Sequence, residues 1–198
     1  MTALVTTLSA IKAQSPCPSG WRILLTALGP DYGDDIPLPL ARIVKTNGVA
    51  DALWALRCFS AETMRHVAVT FACDCAERVL PIWERRYPLD QRPHAAIRAG
   101  RACVSTPPTV ADAYRTALTA ASTHAAAEGA DAADRAPCSA AHAAAYAADT
   151  GAYYDHHTMT YNAYAGAEAA EAASTAALGG GERTWQKQHL IELLENAP

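Results

Sequence analysis

Large apolar side chains are scarce in this sequence, with two Phe and three Met among 198 residues. A core must rest on Leu, Val, Ile, four Trp and eight Tyr, with Ala filling the remainder. No window approaches ~18 uninterrupted apolar residues, so no membrane-spanning helix is expected. The opening stretch Met1–Gln14 has no basic start and no long apolar run. That argues against a secretory signal and for a cytoplasmic protein. An excess of positive charge is also missing. The net charge is −4, so direct nucleic-acid binding would need a local basic patch.

Several chemistries lack their usual spacing. There is no Gly-x-Ser-x-Gly elbow for a nucleophilic serine. Gly179, Gly180 and Gly181 are not followed by Lys-Ser or Lys-Thr, so they form no phosphate loop. Asp31, Asp34 and Asp35 do not match a calcium-binding loop. Cys73 and Cys75 are too close for a zinc knuckle, and no His-Glu-x-x-His run exists. Cys138 and His142 share a helix face, with His156 and His157 nearby in sequence, but no second Cys-x-x-Cys pair completes a site. The six scattered cysteines are expected to be reduced, mostly buried thiols. No catalytic residue, metal ligand or cofactor is assigned.

Helical periodicity dominates what is present. Two short helices are predicted over residues 2–28, separated at Cys17-Pro-Ser-Gly, then a loop over 29–37. A short helix from Leu38 to Lys45 should stop at Asn47-Gly48. Ser60 is a credible N-cap for the strongest helix, in which Met64, Val67, Ala68, Phe71, Cys75 and Val79 share a face. Pro81 should kink or interrupt it. Pro93 is placed to open another helix, to Val104. After Ser105-Thr-Pro-Pro the composition changes: 29 of the 68 residues from Ala111 to Leu178 are Ala. Such density favours helix and lets backbones approach closely. Two antiparallel helices are predicted, roughly 109–128 and 138–178, with Gly151 a weak point. Tyr146, Tyr153, Tyr161 and Tyr164 should fill gaps between them. Gly179–Gly181 reads as a hinge, and Glu182–Glu195 as a final helix docked through Trp185, Leu190, Ile191 and Leu194. The expected fold is all-α, a multi-helix bundle with long Ala-rich helices in the second half. It is expected to be a single domain over 1–198, in three stretches: 1–47, 48–108 and 109–198.

The segment Asp74–Arg92 is dense in charge beside Trp83 and Tyr87. Asp74 and Arg78 stand at i and i+4, the favourable order for a helix ion pair. Asp51, Arg57, Asp74, Glu77, Arg78 and Arg92 are expected to join in a partly buried polar network. Arg and aromatic residues are also the usual anchors of binding surfaces.

The run from Asp74 through Trp83 to Pro93 resembles the immunity-five-like family of bacterial and phage immunity proteins. Asp51-Ala-Leu-Trp-Ala-Leu-Arg57, Pro93-His-Ala-Ala-Ile-Arg-Ala, the Ala-Tyr tract after residue 140 and Glu182-Arg-Thr-Trp-Gln186 are similar too, so the likeness spans roughly residues 48–195. Two departures stand out. Gly100 and Cys103 fall where the family leads one to expect Ala and a large aromatic, and Asp155-His156-His157 interrupts the Ala-Tyr repeat. The resemblance implies a non-enzymatic protein that neutralises a toxin by binding it, or a phage-encoded inhibitor of a host defence complex. It makes Asp51, Trp54, Arg57, Asp74, Glu77, Arg78, Trp83, Glu84, Tyr87, Arg92 and Trp185 the candidate structural or partner-binding residues. The implied partner is a protein, toxin or defence component, with no membrane role; a homodimer is left open. Two alternatives stand beside it: an enzyme or metal-dependent protein using Asp74, Glu77 and nearby Cys and His, and a structural homo-oligomer joined through Ala-faced helices.

Overall fold

The computed structural model describes residues 2–105, 109–129, 135–152, 159–177 and 180–197. A two-residue strand β1 (Val5–Thr6) is followed by helices α1 (Leu8–Ala13) and α2 (Pro18–Leu28). β1 pairs antiparallel with β2 (Leu38–Pro39), Val5 opposite Pro39. These two strands were not legible in the sequence, being too short to show an alternating pattern. The helices end where local chemistry ends them. The Thr7 side chain caps α1 by accepting the Ala10 N–H at 3.1 Å. Cys17 Sγ accepts the Gly20 N–H at 3.3 Å, and Pro18 occupies the first helical turn, so Pro18-Ser-Gly lies inside α2 rather than separating two helices. Gly48, at φ 96°, closes α3 (Leu40–Asn47) and opens α4 (Val49–Ala55), a backbone state open to glycine at little cost.

After a 3-10 turn at Leu56–Cys58, Ser60 caps α5 (Ala61–Arg86) by accepting the Thr63 N–H at 3.1 Å. The predicted face is buried: Met64, Val67, Ala68, Phe71, Cys75 and Val79 are all within the core. Pro81 does not interrupt this helix. Val79, Leu80 and Trp83, buried on either side of it, hold the flanking turns in place. α6 (Arg92–Ser105), α7 (Val110–Gly129), α8 (Arg135–Ala152) and α9 (Met159–Ala177) follow. The single predicted helix over 138–178 is two, α8 and α9, packed against each other. Alanine propensity alone could not show that division. Pro137 belongs to the first turn of α8. Tyr153, Tyr154, His156 and His157 lie outside the described residues, and so does Gly179. Gly180 and Gly181 are the first residues of α10 (Gly180–Glu195), not a hinge before it.

α8 is the centre of the bundle, packed against α5, α6, α7 and α9. Ala140, Ala141, Ala143, Ala144, Ala145, Ala147 and Ala148 are all fully buried. At ~100° per residue these alanines cover rather more than half of the helix, and the remaining face carries Cys138, Ser139, His142, Tyr146 and Asp149, all partly exposed. Methyl side chains let four helices crowd around it. Gly100 marks the tightest approach: a Cβ there would stand 2.7 Å from the Ala147 carbonyl oxygen and 3.1 Å from Cys73 Sγ. Cys103 fills a small buried slot, its Sγ 3.9 Å from the Thr116 hydroxyl of α7. The departures at Gly100 and Cys103 thus suit close packing of α6 on α8 and α7, while Asp155-His156-His157 lies outside the described residues. Cys73, Cys75 and Cys103 are buried free thiols, Cys58 and Cys138 are partly covered, and Cys17 is exposed, contrary to a uniformly buried set.

Candidate functional site

The helix repeat assembles a polar column where α5, α6 and α10 meet. On α5, Asp74, Glu77 and Arg78 stand at i, i+3 and i+4, on one face. On α10, Glu182, Trp185, Gln186 and His189 stand at i, i+3, i+4 and i+7, again on one face. Facing helices bring the two sets together. Asp74 Oδ2 meets His189 Nε2 at 2.5 Å, and its Oδ1 accepts from Arg101 of α6. Arg101 also grips Glu77, through Nε at 3.1 Å and through its terminal nitrogen at 2.8 Å. Arg78 Nε donates to Glu182 Oε2 at 3.1 Å. The Arg78 guanidinium lies 4.1 Å from the Trp185 ring centroid, and Trp185 stacks on His189 at 4.7 Å and 14°. The column therefore runs from Arg78 through Trp185 and His189 to Asp74.

Burial grades across it. The Arg78 side chain is 43% exposed and the Glu182 side chain 4%. Below Glu182, Gln186 is buried and anchors α10 to α9, donating to the Ala170 carbonyl at 2.8 Å and accepting from Ser174 at 3.1 Å. Burial pushes the Asp74 pKa up, but the hydrogen bonds from His189 and Arg101 outweigh it and hold the carboxyl below its usual range. Burial, with a smaller push from nearby carboxylates, raises the Cys73 thiol to about 12 and the Cys75 thiol well above its ordinary value. Neither is a thiolate nucleophile at neutral pH. Among the described residues no three His, Cys, Asp or Glu side chains converge as a metal site.

The eleven candidate residues fall into three places. Asp74, Glu77, Arg78 and Trp185 form the column, but the expected Asp74–Arg78 ion pair is not made. Each side chain instead reaches across to another helix, where a partly dehydrated partner gives a stronger contact than a neighbour one turn away. Trp83, Glu84, Tyr87 and Arg92 gather at the α5–α6 turn, about 13 Å further along α5 at ~1.5 Å per residue. Trp83 is buried, donates to the Asp90 carbonyl at 3.2 Å and packs on Tyr87 at 4.4 Å. Glu84 meets His94 at 2.5 Å, and Arg92 pairs with Asp90 at 2.6 Å. Leu89, in the same turn, is 95% exposed. Asp51, Trp54 and Arg57 lie apart: Arg57 stacks 5.2 Å over Trp54, and Asp51 accepts from Asn47 at 2.8 Å. The single expected network of Asp51, Arg57, Asp74, Glu77, Arg78 and Arg92 is not one network. Its true further members, Arg101, Glu182 and His189, were missed. The spacing Glu182, Trp185, His189 on one helix face was the available signal.

The fold and this column define an all-α protein whose charged helix faces are cross-braced by arginine and tryptophan, with their edges left in water. The chain belongs to the family described as Imm-5 like putative immunity protein, whose model matches residues 57–193, more than two thirds of the chain. The column lies within the match, and so does the α5–α6 turn; Asp51 and Trp54 lie outside it. Family membership supports an immunity role in general, and with it a protein partner. No curated protein matches the chain, and no solved structure does. No helix among the described residues is long and apolar enough to cross a membrane.

Proposed function

We propose that this chain is a non-enzymatic, cytoplasmic inhibitor that binds a protein toxin directly and blocks it. The contact surface is the strip along the second half of α5, from Arg78 on Trp185 to Arg86 on Tyr87. The observation that carries the reading, beside the family, is Leu89: a large apolar side chain left 95% exposed in the turn just beyond the Arg86–Tyr87 pair. Arg, Trp and Tyr around an apolar knob are the composition of interface anchors. The enzyme reading is disfavoured by the state of its candidate residues. Both Asp74 oxygens are engaged and its carboxyl is held acidic, which is the opposite of a general base tuned toward neutral pH.

The test is titration of a captured toxin with the purified chain, reading toxin activity and complex formation. Stoichiometric inhibition is expected. Leu89→Asp should weaken binding at least tenfold while leaving the melting temperature unchanged, since an exposed turn residue has little folding role. Inhibition unaltered by Leu89→Asp and by Arg86→Ala would move the contact surface elsewhere. A partner drawn from a host defence complex rather than a toxin would replace the target. A substrate turned over by the chain would defeat the reading altogether.

A further inference from the structure

A cleft of about 250 Å³ opens among α1, α2, α3 and α4, with Ala167 of α9 at one wall. Of its lining residues, all except Ala167 precede residue 57, so the cleft is built by the segment that lies outside the family match. Its walls are mostly apolar, with Trp21, Leu24, Ile43 and Trp54 prominent. One carboxylate breaks that wall. Asp51 Oδ2 accepts from Asn47 Nδ2 at 2.8 Å, and the same Asn47 nitrogen donates to the Gly20 carbonyl at 2.8 Å. Gly20 makes the room, since a Cβ there would stand 2.6 Å from Asp51 Oδ2. Among the described residues no Lys, Arg or His pairs with this carboxylate. Arg57 instead lies over Trp54, 5.2 Å from its ring centroid.

We propose that this cleft binds a small organic cation: an amine carried on an apolar body of roughly ten non-hydrogen atoms, in keeping with a cavity larger than the ~150 Å³ that holds benzene. Two features select that class. The apolar wall partly covers Asp51, and an ammonium supplies the cationic partner that its hydrogen bond from Asn47 does not. Tryptophan faces attract cations in addition to covering apolar surface. Neutral and anionic molecules of the same shape gain only the apolar contact. This site is independent of the toxin-binding strip.

Cys17 supplies a reporter. It lines the cleft and is exposed, with its Sγ accepting from Gly20 and lying 3.5 Å from the Ser19 hydroxyl. The Ser19 and Gly20 hydrogen bonds hold its pKa below the ordinary thiol value, so it reacts readily with alkylating reagents.

The experiment uses the full chain with three probes of one shape: tryptamine, 3-ethylindole and indole-3-propionate. Ligand-observed NMR titration reads affinity, and site-resolved mass spectrometry reads iodoacetamide labelling of Cys17. Tryptamine should bind at least tenfold tighter than either control and slow Cys17 labelling saturably. Asp51→Asn, which keeps an acceptor for Asn47, should remove that preference while leaving 3-ethylindole binding unchanged. Should Asp51→Asn not fold, the three probes on the unaltered chain carry the test alone. Equal binding of the three probes, or binding of none, overturns the proposal. So does a preference that survives Asp51→Asn, or a concentration-dependent dimer that shields Cys17 without any probe.

Discussion

The guanidinium of Arg78 stands at a boundary, one edge in water and the other against Glu182 and the Trp185 ring. Removing it leaves a buried carboxylate with Gln186 as its remaining donor, at 3.4 Å. A fully buried pair broken on one side costs ~3–5 kcal/mol. Because Arg78 is 43% exposed and water can enter its place, Arg78→Ala should cost about 2 kcal/mol in chemical denaturation. Glu182→Gln in the Arg78→Ala background should restore part of that loss, because the uncompensated charge is then gone. Two groups illustrate the response to pH. Asp74 titrates lower in the folded chain than its ordinary 3.8, so its contribution is complete at neutral pH and is lost as pH falls through and below that value. Burial, and then the neighbouring His124, depress His142 below 6.5. The unfolded chain therefore takes up that proton first, and stability should decline as pH falls below 6.5. His142→Gln should flatten the urea midpoint between about pH 6.5 and 5, a window set by the ordinary histidine value. At this scale Asp74, Glu77, Arg78 and Trp185 were legible as motif members. Their partners were not, since His189 is 115 residues from Asp74 and no local rule links them.

Helix identity was legible wherever the apolar period was strong, as in α5, and at caps such as Ser60. Helix boundaries, not helix identity, were lost where the period weakens. In α8 helix was foreseen, but alanine on every side of His142 and Tyr146 gave propensity no means of dividing the tract into α8 and α9. Position 100 shows the same limit. Alanine there is the better helix former by ~1 kcal/mol. Yet its methyl would collide with the Ala147 carbonyl, and a backbone atom cannot swing aside. Gly100→Ala should therefore destabilise by ~1–3 kcal/mol, read as a lower melting temperature. The docked final helix was foreseen, but Trp185 is partly rather than fully buried. Trp185→Ala should cost ~2 kcal/mol, below the ~3–5 of a fully buried tryptophan.

Across the whole molecule, the two ends of the described chain are fastened together. The Leu4 N–H donates to the Leu194 carbonyl at 2.9 Å, the Leu40 N–H to the Leu4 carbonyl at 3.0 Å, and the Thr2 N–H to the Ala197 carbonyl at 3.1 Å. Leu190 and Leu194 are buried beneath that clasp. Hydrogen exchange at Leu4 and Leu40 should then track α10, and Leu194→Ala should speed all of them together while costing ~2–5 kcal/mol. Uniformly slow exchange at Leu4 in the Leu194→Ala variant would show the clasp to be independent. The enclosed alanines of α8 carry a different kind of consequence, one for heredity. Single-base changes in an alanine codon yield Gly, Ser, Thr, Pro, Val, Asp or Glu. Only glycine is smaller, and only serine is close in size. Most amino-acid-changing mutations at the alanine codons between 140 and 148 therefore add bulk, charge or a helix breaker to a space that has no room for them. Mutational fragility thus extends into the most repetitive stretch of the chain, where composition alone would suggest that any residue could be exchanged.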